Sequence, residues 1–106
     1  MSVERLQAMI ERGEPMLLLD VRLDEDLARA ADKLPRAQLR PSHAVGQWAD
    51  EMPRDCPVVL YCVYGFQVSR DSVAELRRRG IDARALAGGI AAWRASGAPT
   101  VPLDRP

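Results

Sequence analysis

The chain has 106 residues, 47% of them hydrophobic and 28% charged, and its 15 basic and 15 acidic residues give a formal net charge of zero. This length suits one domain with its own hydrophobic core, so we expect a single domain over residues 1–106. The balanced charge argues against a nucleic-acid partner, which would require a basic excess. The longest nearly apolar run is about half of the roughly 20 residues that a membrane span needs, so we expect no membrane association.

Apolar residues recur along the chain in two patterns, which predict alternating helices and strands. Apolar positions three or four residues apart indicate amphipathic helices, and short continuous apolar runs indicate strands covered on both faces. In chain order we predict a helix over 3–10, a strand over 16–20, a helix over 24–31, a strand over 38–40, a helical segment over 42–51, a strand over 58–61, a helix over 69–79, a strand over 83–86 and a helix over 90–96. Ser2 and Ser69 are the expected N-caps of the helices that follow them. The proline-containing tail from Ala98 is expected to stay irregular.

This alternation predicts a three-layer α/β fold, with a central parallel sheet of about five strands flanked by helices. In such sheets, ligands bind at the carboxyl ends of the strands. Asp20 and Cys62 both fall at predicted strand ends, so we expect them on one side of the domain.

Cys62 is the strongest candidate for a reactive group, because of the segment in which it lies. It ends an apolar run from Pro57 and precedes a glycine-containing stretch and the helical pattern from Ser69. In a strand–loop–helix arrangement, the backbone N–H groups of the loop and the helix N-terminus can stabilise an anion. A cysteine at the base of the loop can then act as a thiolate nucleophile. The alternative is a buried cysteine that serves only as a small hydrophobic residue.

The other cysteine, Cys56, is expected to be structural or incidental. An extended segment between the two cysteines would span about 20 Å, which is too far for a disulfide. The pair lacks the Cys-x-x-Cys spacing and the sequence has a single histidine, so we predict no metal site. Free thiols suit a reducing compartment and no signal segment is evident, so we expect a cytoplasmic location.

Three separated segments together resemble one protein family. Residues 17–22 read LLLDVR, residues 61–68 contain the cysteine and its loop, and residues 86–99 read LAGGIAAWRASGAP. In this order and at these separations they resemble the rhodanese-like domains. Residues 33–37 also resemble the family's His-Ile-Pro-Gly-Ala sequence, with Lys33 in place of His and Arg36 in place of Gly.

The resemblance implies a parallel α/β fold and a sulfurtransferase that works through a cysteine persulfide. By this resemblance Cys62 is the catalytic residue, and the loop that follows it binds the substrate. The loop residues are Val63, Tyr64, Gly65, Phe66, Gln67 and Val68. The thiolate would take sulfur from thiosulfate or a related donor and pass it to cyanide, a thiol or a protein acceptor. The expected partners are therefore a small sulfur-containing anion or thiol and a protein sulfur acceptor, with no metal or organic cofactor.

Four residues near the loop are candidates for supporting roles: Asp20, Arg22, Ser69 and Arg70. Asp20 and Arg22 could act as an acid and a substrate clamp, but the resemblance implies structural roles. In those roles Asp20 bonds the backbone near the loop and Arg22 pairs with an acidic neighbour. Ser69 is expected to cap its helix first and to donate a hydrogen bond to the persulfide second. For Arg70, contact with an anion at the loop mouth and a solvated position are both open.

The loop departs from the family pattern in two ways. Common single-domain members read roughly Cys-x-x-Gly-x-Arg-Ser, whereas here Gly65 fits, the Arg is missing and Ser69 comes one residue late. A loop longer by one residue has the length of the Cys-x5-Arg loops of dual-specificity phosphatases and arsenate reductases, but Val68 stands where their Arg would be. The order Cys-x-x-Gly-x-x-Val-Ser also resembles rhodaneses associated with chromate resistance.

The leading hypothesis is a small sulfurtransferase. A second is a module that carries persulfide or senses oxidants without turning over thiosulfate, because doubly charged thiosulfate would bind weakly without the missing cation. The third is an enzyme that reduces or hydrolyses an oxyanion such as arsenate, chromate or phosphate, and the longer loop motivates it.

Overall fold

The computed structural model describes residues 1–103, in which helices cover both faces of a parallel sheet. The elements are α1 (Val3–Glu11), β1 (Leu17–Asp20), α2 (Asp24–Arg29), β2 (Asp32–Lys33), β3 (Gln38–Leu39), a 3-10 turn (Ser42–Ala44), α3 (Val45–Trp48), a second 3-10 turn (Ala49–Glu51), β4 (Val58–Tyr61), α4 (Gln67–Arg78), β5 (Ala83–Ala85), α5 (Gly89–Ala95) and β6 (Val101–Pro102). Within residues 1–103, no helix is long and apolar enough to cross a bilayer.

The central sheet has the strand order β3–β1–β4–β5, and all its pairings are parallel. The predicted three-layer α/β class is therefore confirmed, but the sheet has four strands and not about five. In the β1–β4 register Asp20 lies beside Tyr61, so Asp20 and Cys62 occupy the same edge, as predicted.

The tail after Ala98 is not wholly irregular, which corrects that expectation. Val101 and Pro102 pair antiparallel with Lys33 and Asp32, and β6 and β2 form a separate small sheet. Proline is tolerated because an edge position needs no donor at every residue. The last part of the predicted tail, residues 104–106, lies outside the described residues.

β4 is buried along its whole length because both of its faces contact helices. Its alternate side chains divide the core into two clusters. Val59 and Tyr61 pack in the cluster that contains Trp93 of α5, and Val58 and Leu60 pack in the cluster that contains Trp48 of α3. Both tryptophans are buried, and β4 is thereby held firmly up to the residue before Cys62.

The N-caps of α1 and α4 explain why the sequence predicted the start of the first helix correctly but not that of the second. The Ser2 hydroxyl accepts a hydrogen bond from the Arg5 N–H, as an N-cap should. Ser69 is not a cap, because α4 begins two residues before it and has Phe66 at its N-cap position. The predicted start of α4 was therefore wrong, and the helix reaches closer to Cys62 than the sequence pattern indicated.

Candidate active site

Cys62 lies directly after β4 and opens the segment that we call the Cys62 loop, residues 62–66. Its side chain is nearly buried, with 5% of the residue exposed, yet it belongs to neither apolar cluster of residues 1–103. Its thiol donates a hydrogen bond to the Ser69 hydroxyl, with Sγ 3.3 Å from Oγ. Ser69 is itself fully buried and donates a long hydrogen bond of 3.5 Å to the Phe66 carbonyl. The sulfur is therefore nearly buried but has a polar partner in the first turn of α4.

The start of α4 is open toward this sulfur. No side chain of residues 1–103 caps the helix at its N-cap Phe66. The first N–H groups of an α-helix have no partner within the helix, and they carry partial positive charge. Because Ser69 in the first turn contacts Sγ, this charge lies close to the sulfur. The arrangement can stabilise an anionic sulfur.

The start of α5 orients the backbone of the Cys62 loop. The N–H groups of Ile90 and Ala91 donate hydrogen bonds of 3.0 Å to the carbonyls of Cys62 and Val63. In a trans peptide the carbonyl and the following N–H point in opposite directions. The N–H groups of Val63 and Tyr64 therefore point away from α5, while the carbonyls of the preceding residues are occupied.

Glycines allow this close approach. A β-carbon on Gly89 would lie 2.4 Å from the Cys62 carbonyl oxygen, and one on Gly65 would lie 2.7 Å from the Gly88 nitrogen. Both residues also have a positive φ, of 60° and 75° respectively. The contacts of Gly88 and Gly89 with the Cys62 loop were missed in the sequence, because they join residues distant along the chain.

A small cavity of about 130 Å³ opens beside Cys62. It is lined by Cys62, Val63, Tyr64, Phe66, Gln67, Val68 and Asp26. Tyr64 and Phe66 are 61% and 66% exposed, with ring centroids 6.3 Å apart, so they form an aromatic rim. The Gln67 amide donates to the Asp71 carboxylate at 2.8 Å, along the surface of α4. Asp26 was missed because its acidic helix has the pattern of a solvated surface.

Asp20 and Arg22 form a buried ion pair behind the loop. Arg22 Nη2 lies 2.7 Å from Asp20 Oδ2, and the Arg22 backbone N–H donates to Oδ1 at 3.1 Å. Both expectations, a backbone bond for Asp20 and an acidic partner for Arg22, are confirmed. Burial would lower the pKa of the Arg22 guanidinium, but its hydrogen bonds to Asp20 and the charge of Asp20 outweigh this and raise it.

Tyr61 links this ion pair to a second loop. Its hydroxyl donates to Asp20 Oδ2 at 2.9 Å and accepts from the Leu34 N–H at 3.2 Å. Burial, and then the negative charge of Asp20, raise the pKa of Tyr61 far above its ordinary value, so the hydroxyl stays protonated. Since Tyr61 immediately precedes Cys62, the network fixes the end of β4 without lining the small cavity.

The supporting candidate Arg70 and the second cysteine, Cys56, lie away from the cavity beside Cys62. Arg70 is exposed and lines a different depression together with Met1 and Ala85. Cys56 precedes β4 at the opposite end from Cys62, and both thiols are free. Among residues 1–103, no group of three or more His, Cys, Asp or Glu side chains is arranged to hold a metal ion.

Comparison with known proteins gives the family of the chain. A sequence profile described as the rhodanese-like domain matches residues 2–96. The chain belongs to the rhodanese-like domain family. This rhodanese-like domain is also similar to a solved rhodanese-related protein from Thermoplasma volcanium, with a TM-score of 0.81, 23% identity and 95% of each chain covered. That likeness supports the fold.

Two curated relatives are closer in sequence. A protein of Allochromatium vinosum named sulfurtransferase is 33% identical over 99 residues, which cover 92% of this chain and 90% of the relative. A tRNA sulfurtransferase of Desulfurococcus amylolyticus is 40% identical over 79 residues, which cover 74% of this chain but only 15% of that larger protein.

Proposed function

We propose that this rhodanese-like domain is a sulfurtransferase in which Cys62 carries sulfane sulfur as a persulfide. The observation that carries the proposal is the position of Sγ, 3.3 Å from the buried Ser69 hydroxyl at the uncapped start of α4. The partial positive charge of a helix start can stabilise a negative charge on a nearby atom. The relative from Allochromatium vinosum, named sulfurtransferase and matched over most of both chains, supports the same reaction class.

In the proposed cycle, the Cys62 thiolate attacks the outer sulfur of thiosulfate or a similar donor. The sulfur–sulfur bond of the donor breaks, sulfite leaves with the electron pair, and Cys62 becomes a persulfide anion. An acceptor thiolate or cyanide then attacks the terminal sulfur, and the electron pair of the broken bond returns to Cys62. In the resting thiol, Ser69 accepts a hydrogen bond from Cys62; with a charged sulfur, its hydroxyl would donate instead.

Mass spectrometry of the loaded protein tests the proposal. After treatment with thiosulfate or polysulfide, we expect the mass of one additional sulfur atom on the peptide that contains Cys62. Cys62→Ser should gain no sulfur and should lose thiosulfate–cyanide activity, whereas the matched control Cys56→Ser should keep both. Unchanged activity in Cys62→Ser would refute the proposal.

A specific observation favours a second candidate, a persulfide carrier that does not turn over thiosulfate. Among the described residues that line the cavity beside Cys62, none has a basic side chain, and one, Asp26, has a carboxylate. A doubly charged donor would be repelled there. A sulfur adduct that forms from polysulfide, without turnover of thiosulfate, would favour the carrier over the enzyme.

The two free thiols also bear on the compartment. Cys56 and Cys62 are unpaired, and free cysteines persist most readily where glutathione and thioredoxin keep thiols reduced. This supports a cytoplasmic location as part of the proposal.

A further inference from the structure

A second and larger cavity adjoins the one beside Cys62. Its volume is about 420 Å³, against about 130 Å³ for the cavity at the sulfur. Asp26 and Val63 line both cavities, so the two are neighbours, and together we call them the groove. A substrate with its sulfur at Cys62 can extend from the smaller cavity toward the larger one, past the residues that line both.

Among residues 1–103, most of the charged side chains that line the larger cavity are already neutralised. Arg22 pairs with Asp20 in the buried network, and Arg94 pairs with Asp32 at the surface. Within residues 1–103 the lining side chains that form neither an ion pair nor a side-chain hydrogen bond include two charged ones, Asp26 and Arg29. These two charges are available to a ligand.

The two free charges have a fixed order along the groove. Asp26 and Arg29 are three residues apart on α2, so they are neighbours on the surface of that helix. Asp26 lines the cavity that contains Cys62, whereas Arg29 lines only the larger one. A ligand with its sulfur at Cys62 therefore meets a negative charge first and a positive charge further along.

We propose that the groove binds a zwitterionic amino thiol of the cysteine type as the sulfur acceptor, with its ammonium group at Asp26 and its carboxylate at Arg29. The inference rests on the proposed persulfide on Cys62. The acceptor thiolate attacks the terminal sulfur of the persulfide, a new sulfur–sulfur bond forms on the acceptor, and the bond to Cys62 breaks with the electron pair on Cys62. The products are the acceptor persulfide and the Cys62 thiolate, and no other reactant is needed.

Three thiols test the order of the charges. Cysteine carries both charged groups, cysteamine lacks the carboxylate, and 3-mercaptopropionate lacks the ammonium group. The Cys62 persulfide is first formed with polysulfide and verified by mass spectrometry, and its decay is then timed with each thiol. Each rate is compared between wild type and variant, so that the intrinsic reactivity of the thiol cancels.

The variants are Asp26→Asn and Arg29→Gln. Asp26→Asn should slow the decay of the persulfide with cysteine and with cysteamine by about two- to fivefold, the effect of one surface charge contact. It should not slow the decay with 3-mercaptopropionate. Arg29→Gln should slow cysteine and 3-mercaptopropionate by a similar factor but should not slow cysteamine. The control variants Asp24→Asn and Arg5→Gln remove exposed charges that line neither cavity, and they should alter no rate.

The outcomes separate the two proposals. If no persulfide forms on Cys62, the proposed function itself fails. Two other results overturn the acceptor inference and leave the proposed function standing. In the first, the persulfide forms but each variant changes the decay rate by the same factor with all three thiols. In the second, the persulfide forms but the control variants show the same changes as Asp26→Asn and Arg29→Gln.

Discussion

Gly89 and Cys62 are in direct backbone contact, so closely that a β-carbon on the glycine would lie 2.4 Å from the cysteine carbonyl oxygen. Real β-carbons do not approach so near, and therefore either the Cys62 loop or the start of α5 would have to move. The contact makes the loop geometry depend on a residue that is 27 positions away in the 106-residue chain.

Gly89→Ala should consequently damage both stability and sulfur transfer. Overpacking of this kind costs about 1–3 kcal/mol in the free energy of unfolding, which urea denaturation would measure. Gly97→Ala is the matched control, because Gly97 also has a positive φ, 81°, but has no atom within 4 Å of its would-be β-carbon. The control should show only backbone strain and retain activity. Equal effects in the two variants would contradict the assigned contact.

Tyr61→Phe should lower the free energy of unfolding by about 1–3 kcal/mol, because the buried Leu34 N–H would lose its acceptor. The Asp20 carboxylate would keep its bonds to Arg22 but lose the one from Tyr61. Thermal or urea unfolding would give the difference. The exposed Tyr64 supplies a control, since Tyr64→Phe should leave stability unchanged. An unchanged free energy of unfolding in Tyr61→Phe would mean that the network does not stabilise this edge of the sheet.

Asp32→Asn should reveal that the pair of Asp32 and Arg94 makes a pH-dependent contribution to the free energy of unfolding. The hydrogen bond from Arg94 lowers the pKa of Asp32 below its ordinary value. A lowered pKa in the folded state adds stability above the unfolded pKa of about 3.9, and that stability is lost as the pH falls through the folded value. We expect Asp32→Asn to lose about 0.2–1 kcal/mol at pH 7.

Urea titrations at several pH values would measure this contribution. The gap between wild type and Asp32→Asn should close as the solution is acidified below the unfolded pKa of about 3.9. Asp55→Asn, at an exposed position in no ion pair of residues 1–103, should show no gap at neutral pH. A gap that is constant with pH would assign the effect to packing and not to charge.

Arg36→Gly should stabilise the protein. Arg36 has a φ of 69°, the left-handed region, in a turn closed by the Ala37 N–H and the Leu34 carbonyl. That conformation costs a non-glycine residue about 1–2 kcal/mol, and part of the gain is offset by the greater freedom of glycine in the unfolded chain. We expect a net gain of about 0.5–1 kcal/mol in chemical denaturation. Arg12→Gly, at a φ of −83°, should give no such gain.

Val68→Arg should strengthen thiosulfate binding. Val68 lines the cavity beside Cys62 at the position where the Cys-x5-Arg loops have their cation. One partly exposed charge contact contributes about 1 kcal/mol, so KM for thiosulfate should fall about fivefold. Val68→Met controls for side-chain length without charge. An unchanged KM in a folded Val68→Arg protein would show that the missing cation does not limit donor binding, and phosphatase activity in it would revive the oxyanion hypothesis.

The parts of the fold that the sequence predicted well are those with strong periodic signals. The apolar runs that became β1 and β4 were placed to within one residue, because strands buried on both faces leave little ambiguity. The two-residue strands β2 and β6 carry no such signal, and their pairing depends on contacts between distant parts of the chain.

The candidate site divides in the same way. Cys62 and its loop could be recognised from local order along the chain, because strand, cysteine, glycine and helix are consecutive. The start of α4 at Gln67 could not be recognised in this way, because the helix begins two residues before Ser69 and has no polar residue at its N-cap. The position of Asp26 beside the cavity could not be predicted, because its helix has the pattern of a solvated surface. The backbone contact of Gly89 could not be predicted either, because its sequence is that of an ordinary turn.

The two hydrogen bonds from α5 to the Cys62 loop also affect how the site can diverge. Because Ile90 and Ala91 hold the chain by its main-chain atoms, the rim side chains of Tyr64 and Phe66 contribute nothing to that attachment. Exchanging the rim residues should then change the mouth of the cavity while the sulfur stays where it is. A saturation library at positions 64 and 66 would be a practical route to new sulfur acceptors on an unaltered scaffold.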